Sequence, residues 1–191
     1  RAEHPDMRFE KAFLPDELSL LGTYDLIFSN ACIHWIPDQR RLLDEAFAHL
    51  EPGGTLAVQL PAASASPFHA GPLQSVLAQK KWEPLQGMDI FYELDTFGYY
   101  NELSRHTPDV TVWRTDYHHL VDGPSGMVEW YSGSGLRPYF ERLDALGLGD
   151  RKEELKADLI AAIDAEARRL ADGRMFLIMP RIFFVARKPQ S

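Results

Sequence analysis

An α/β sandwich around a mixed sheet is the fold class this sequence predicts, on three observations. Two short apolar runs, Tyr24–Phe28 and Thr55–Leu60, flank one amphipathic helical stretch that ends at a Gly-rich turn. That is the order of a βαβ unit, which implies parallel strands and a right-handed crossover. A region of helical spacing over about 120–172 then follows a later strand, and a last apolar strand arrives after that insertion. A late return of this kind makes the final two strands antiparallel to each other and the whole sheet mixed.

The elements follow in chain order. Arg1-Ala2-Glu3-His4-Pro5 reads as the tail of a helix, and Met7 and Phe9 open a strand behind it. Tyr24-Asp25-Leu26-Ile27-Phe28, bounded by Gly22-Thr23 and Ser29-Asn30, reads as a buried strand. Pro37-Asp38 starts a helix whose Leu42, Leu43, Ala46, Phe47 and Leu50 share a face opposite Arg40, Arg41, Asp44 and Glu45. Pro52-Gly53-Gly54 stops it, and Thr55–Leu60 is the second strand. Phe68–Lys80 is expected to be helical, Trp82–Asp95 irregular, Phe97–Arg105 helical, and the alternating Asp109–His118 a strand. Pro124–Tyr131, Arg137–Leu146 and Arg151–Leu170 are read as helices, the last with Glu/Lys pairs on its solvated side. Met175–Ala186 is the closing strand, interrupted by Pro180-Arg181.

The bulk numbers bound the function. At 191 residues the chain holds one domain with a sizeable core, and 45% hydrophobic against 25% charged residues is the composition of a globular protein. Its 28 acids against 20 bases, a net charge of −8, leave no cation surplus for a phosphate backbone, so nucleic acid is not the expected partner. A small anion remains possible, because two or three arginines focused in a pocket outweigh a distant negative surface. Cys32 stands alone, which excludes an internal disulfide framework and a cysteine-rich zinc site. No apolar run approaches the roughly 18 residues of a membrane span. Arg1–Glu10 is too charged for a signal peptide, so a cytoplasmic location is expected. Oligomeric state is not legible.

In open α/β sheets ligands bind beyond the carboxyl ends of the parallel strands. The first candidates are therefore Asn30, Ala31, Cys32, His34 and Trp35, where Trp35 either walls a ligand or packs on its own helix. Gln59 reaches the same rim, to orient a charged group or to satisfy loop backbone. In Trp113–His119 the period of two puts Arg114, Asp116 and His118 on one face and Trp113, Thr115, Tyr117 and His119 on the other. Tyr117 and His119 can donate to an anion, whereas Asp116 and His118 are too few to hold a metal. Arg137 begins a helix after Gly135-Leu136. Arg181 sits inside an apolar strand, where a guanidinium is expensive to bury unless it meets an anion. That anion is either a ligand carboxylate, which suits arginine's bidentate fork, or a structural acid. No Ser-His-Asp set, paired-carboxylate motif or phosphate loop is present.

Asp25-Leu26-Ile27-Phe28-Ser29-Asn30-Ala31 with Trp35-Ile36-Pro37-Asp38 resembles the fourth-strand motif of class I S-adenosylmethionine-dependent methyltransferases, and Pro52–Pro61 resembles their fifth strand. Trp113-Arg114-Thr115 with Tyr117 and His119, Glu129-Trp130, Gly135-Leu136-Arg137-Pro138 and Pro180–Ala186 resemble the branch that methylates trans-aconitate. The resemblance implies the C-terminal part of a Rossmann-like sheet, S-adenosylmethionine as cofactor, and methyl transfer to a carboxylate of a small polycarboxylic acid. It makes Tyr117, His119, Arg137, Arg181 and Gln59 substrate candidates, and Asn30, Ala31, Trp35 and Phe13 cofactor candidates. It also exposes departures. The family's glycine-rich turn and ribose-holding acid have no counterpart here, Ala12-Phe13 stands where an acid commonly contacts adenine, and Ala62-Ala63 replaces a polar pair. These departures leave two alternatives, an inactive or dimerising fragment and a methyltransferase for another small acid. The missing βαβαβ half implies roughly 70 residues or more upstream at about 30 per βαβ unit. A first strand lacking its neighbour should need a covering partner or promote aggregation.

Overall fold

The computed structural model describes residues 7–18, 22–166 and 168–190. Four strands, β1 (Tyr24–Asn30), β2 (Leu50–Pro61), β3 (Val110–Val121) and β4 (Met175–Arg187), form one sheet in the order β1-β2-β4-β3. The helices are α1 (Gln39–Ala48), α2 (Gln74–Leu77), α3 (Thr96–Leu103), α4 (Pro124–Ser132), α5 (Arg137–Ala145) and α6 (Lys152–Glu166). β1 and β2 are parallel, with Leu26 opposite Thr55 and Asn30 opposite Gln59, so the expected βαβ unit is present. β4 runs against both neighbours: Gly53 and Gly54 pair with Pro189 and Lys188, while Asp109 bonds Arg187 and Trp113 stacks on Phe183. The sheet is mixed, as the late return of the last strand requires.

The chain divides into two compact units. One comprises Arg1–Leu60, Tyr92–Trp113 and Phe183–Ser191, the other Pro61–Phe91 and Arg114–Ile182. The second is thus wider than the helical insertion expected over about 120–172.

In the first unit α1 is built as its pattern dictates. Asp38 caps it by accepting from the Arg41 N–H at 3.0 Å, and Leu42, Leu43, Ala46 and Phe47 are buried. Gln39, also buried, has every polar atom used: its amide donates to the Ile33 and Ile36 carbonyls, both at 2.7 Å, and accepts from the Tyr99 hydroxyl at 2.8 Å. Burial pushes the Tyr99 phenol up, and its ring lies 4.9 Å from that of Phe184. At the other end of α1 the Lys188 ammonium donates to the carbonyls of Phe47, Ala48 and Leu50 at 2.9, 3.3 and 2.6 Å. A cation here complements the helix C-terminus and occupies acceptors the helix leaves open. Lys188→Met is expected to lower unfolding free energy by about 2 kcal/mol, since neutral replacement abandons two part-buried carbonyls and one exposed one at once. Urea unfolding followed by fluorescence reads it, and an unchanged midpoint would refute the capping role.

The second unit has its own core, in which Leu155, Leu159 and Ile163 from one stripe of α6 meet Phe68, Leu73, Val76, Trp82, Met127, Val128, Tyr131 and Leu143. Trp82 is fully buried, yet its indole N–H reaches Asp158 at 2.8 Å and the Arg151 guanidinium lies 4.3 Å from its ring. That is how a large ring is buried without stranding its donor.

Several expectations need correction. Residues 7–13 form no strand, and Met7, Phe9 and Phe13 are exposed; the expected helix tail at 1–5 lies outside the described residues. β1 forms but is not buried: Leu26 is 57% and Phe28 68% exposed, because its one described partner is β2. β2 starts at Leu50, earlier than expected. Tyr24 pairs with Leu50, and the register shifts by Leu26 to accommodate Pro52-Gly53-Gly54, where Gly53 takes φ 77°. The Phe68–Lys80 helix opens into a π-turn at His69–Leu73, since Pro72 has no N–H to give the α ladder. α6 ends at Glu166, short of the expected Leu170. β4 is continuous through Pro180. The Pro180 carbonyl accepts from the Ala62 N–H, one residue past the end of β2, so no ladder donor is needed there.

Candidate functional site

In the first unit the candidates gather where β1 ends. Asn30 is its last residue and is exposed. Ala31 follows at φ 49°, an uncommon conformation for a residue with a Cβ, and its N–H is held by the Gln59 carbonyl at 2.8 Å. Gln59 thus contributes through its backbone, and its side chain is half-buried. The chain then winds a single 3₁₀ turn, Ile33–Trp35, in which His34 is buried and Trp35 remains 41% exposed. Their rings meet at 4.7 Å, and the His34 carbonyl accepts from the Tyr92 N–H. His34 is therefore a buried residue. Backbone strain at a strand's carboxyl end, beside an exposed indole and an exposed amide, is the local geometry of a ligand rim. Phe13 is 66% exposed; its N–H is bound by the Glu17 carboxylate, and the Lys11 ammonium lies 5.2 Å from its ring.

In the second unit the face assignment of β3 holds at its carboxylate. Arg114 grips Asp116 two residues on through both oxygens, Nε at 2.7 Å and Nη2 at 3.0 Å, which holds the Asp116 carboxyl below its usual range. His118 turns edge-on to Phe176 at 5.3 Å. Among the described residues no three His, Cys, Asp or Glu side chains are grouped to hold a metal. Tyr117 and His119 are exposed.

The two arginines part company. Arg137, on the first turn of α5, is 72% exposed and pairs with Glu141 at 2.8 Å, an ordinary surface i,i+4 bridge. Arg181 is half-buried and enters no ion pair or hydrogen bond among the described residues. Burial draws it below the ordinary guanidinium range, and only the phenols of Tyr117 and Tyr131 work the other way. The structural ion pair that could have explained Arg181 is therefore absent from the described residues. A half-buried guanidinium beside two phenols has the donors to hold a carboxylate.

One group at this place went unremarked in the sequence. His69 sits in an aromatic cage of Phe68, Phe91 and Tyr131, all edge-on at 5.3–5.4 Å. Both of its ring nitrogens are buried without a partner, as is the Ser134 hydroxyl. Burial alone lowers its pKa to about 4. Tyr131 stacks on Phe68 at 3.9 Å, and its hydroxyl meets that of Ser66 at 3.2 Å. The sequence offered only a histidine among apolar neighbours, the usual appearance of a core residue; the orphaned nitrogens emerge once residues distant in the chain close around it.

Residues 1–144 match a family model described as a methyltransferase domain. Curated relatives are named trans-aconitate 2-methyltransferase. That of Variovorax paradoxus is 34% identical over 191 residues, covering 98% of this chain and 72% of the relative. That of Methylobacterium radiotolerans is 36% identical over 86% of this chain and 63% of the relative, and that of Azoarcus sp. 37% over 85% and 62%. Among solved structures, Haemonchus contortus phosphoethanolamine N-methyltransferase 2 with S-adenosyl-L-methionine aligns over 87% of this chain and 34% of its own, at 17% identity and TM-score 0.38.

Proposed function

Because the chain belongs to the methyltransferase-domain family, we propose that it serves S-adenosylmethionine-dependent methyl transfer to a carboxylate of a small polycarboxylic acid, trans-aconitate, giving a monomethyl ester. The observation that carries the acceptor is Arg181, half-buried, desolvated and without an acid of its own among the described residues. The relatives' shared name supports trans-aconitate as that acid.

The residues present suit one end of the cofactor. Asn30, the strained Ala31 and the open face of Trp35 offer an amide, a turned backbone and an aromatic surface, which fit the methionine and sulfonium groups. Phe13 offers an exposed ring for an adenine, whereas the family's glycine-rich turn and its ribose-holding acid have no counterpart in this chain. S-adenosylmethionine supplies an electrophilic sulfonium methyl. The acceptor carboxylate is ionised at neutral pH, so no general base is required and no proton moves. Arg181 neutralises and orients a non-reacting carboxylate, with the Tyr117 hydroxyl as a second donor. His119 is a further donor on the same face of β3. Arg137, already paired with Glu141, contributes only if that pair opens.

Transfer of radiolabelled methyl to trans-aconitate by the protein carrying this chain is the test. Base-labile label should form at least about 10-fold faster than with citrate, isocitrate or cis-aconitate, a gap of about 1.4 kcal/mol in transition-state binding. Equal rates on all four acids would remove trans-aconitate as the preferred acceptor, and no label on any of them would remove the reaction.

A further inference from the structure

The His69 cage contradicts ordinary packing economy. Native interiors satisfy buried polar atoms, and each one left alone costs stability. Here three of them, both ring nitrogens of His69 and the Ser134 hydroxyl, are buried without partners among the described residues, in the same unit as Arg181, which meets no acid among them. They are linked in space: His69 and Arg181 both face Tyr131, one by ring contact at 5.3 Å and the other by its charge. Nε2 of His69 is covered by Gly135, where a Cβ would come within 3.1 Å of it. The cover is light. Gly133-Ser134-Gly135 joins α4 to α5, tied by the Ser134 and Leu136 N–H groups to the Tyr131 carbonyl. A phenylalanine would fill the same aromatic cage without stranding a nitrogen, so packing alone gives no reason for an imidazole here.

Resting on the acceptor reading above, we propose that His69 is a specificity-determining residue: when the Gly133–Gly135 turn lifts, its imidazole and the Ser134 hydroxyl donate to a second carboxylate of the acceptor while Arg181 holds another. A tricarboxylate is thereby preferred over a dicarboxylate, because only the former fills both receptors and still presents a third carboxylate to the methyl donor. The neighbours of His69 allow this. Among the rings around it, Tyr131 carries a hydroxyl that meets that of Ser66, and the Glu166 carboxylate of α6 lies beside Gly71, two residues along. No charged side chain contributes to its lowered pKa, so an incoming carboxylate is the first counter-charge it meets, and it takes up a proton on binding.

Calorimetry with trans-aconitate and tricarballylate against fumarate, on wild type, His69→Phe and His69→Gln, tests this. Wild type should favour the tricarboxylates by about 10-fold or more, His69→Phe by less than about 3-fold, and His69→Gln, which keeps an N–H, should fall between. His69→Phe should melt at or above the wild-type temperature, which separates lost recognition from lost folding. The His69 ring protons followed by NMR should report a pKa rising from about 4 when tricarballylate is added. Equal discrimination by wild type and His69→Phe, or a His69 titration indifferent to every tricarboxylate, would overturn the proposal. Response to tricarballylate but not to trans-aconitate would retain His69 and discard trans-aconitate as acceptor. Tight trans-aconitate binding that ignores His69 would do the reverse.

Discussion

Arg181→Met is expected to weaken trans-aconitate binding by about 30- to 1,000-fold while leaving the fold as stable as wild type or more so. The two halves of this expectation come from one fact, that the guanidinium is half-buried and has no acid among the described residues. Removing one partner of a desolvated charge pair costs about 2–4 kcal/mol of binding, which sets the fold-change. In the unliganded protein the same group is a desolvated charge with nothing to offset it, so an apolar side chain of similar length relieves a cost. Arg181→Lys should recover only part of the affinity, because a point charge cannot make the two parallel bonds of a guanidinium to a carboxylate. Paired isothermal titration and thermal denaturation check it. A variant that binds normally but unfolds more easily would mark Arg181 as structural, and the carboxylate receptor would have to be sought elsewhere.

The second large effect is on acid stability. Burial lowers the His69 pKa to about 4 from an ordinary value near 6.5. Between those values the unfolded chain binds a proton that the native protein refuses, so stability rises with pH across the window and is lost as pH falls from about 6.5 towards 4. At about 1.4 kcal/mol per unit, the full loss is on the order of 3 kcal/mol. The exposed carboxylates of Asp116, Glu154 and Asp172, each held below its usual range by hydrogen bonds from neighbouring basic side chains, act lower down. They contribute stability above their unfolded values and lose it as they protonate, which leaves the range above about pH 4.5 dominated by His69. In His69→Phe the stability curve should therefore be flatter from pH 6.5 to 4.5. Urea midpoints at three or four pH values suffice, and parallel curves for the two proteins would show that His69 is hydrated or paired in solution.

Periodicity made the regular elements legible. The stripe of Leu42, Leu43, Ala46 and Phe47 announced α1, and the alternation through Trp113–His119 placed Arg114 and Asp116 on one face, where they pair. Such patterns survive because each depends on residues two to four apart. Breaker residues were read less well. Gly53-Gly54 and Pro180 read as interruptions in the sequence, yet both lie inside strands, because a bulged register and a neighbouring strand's end remove the demand for regular backbone there. The burial of β1 was overestimated, since its apolar run says what the strand prefers and not how many neighbours it has.

The site divides along the same line. The residue types and order that resemble a methyltransferase, and the presence of an arginine in an apolar closing strand, are properties of the sequence alone, and the family followed from them. Whether that arginine had already found an acid was beyond it. With 28 candidates along the chain, the choice between an ion pair and an empty receptor turns on which side chains tertiary packing brings within contact range. Arg137 found Glu141 one helical turn away, Arg181 found two phenols, and His69 was enclosed by rings from three separate segments. Local spacing determines pairs along an element; desolvation and the loss or gain of a partner are decided only when distant segments close on one another.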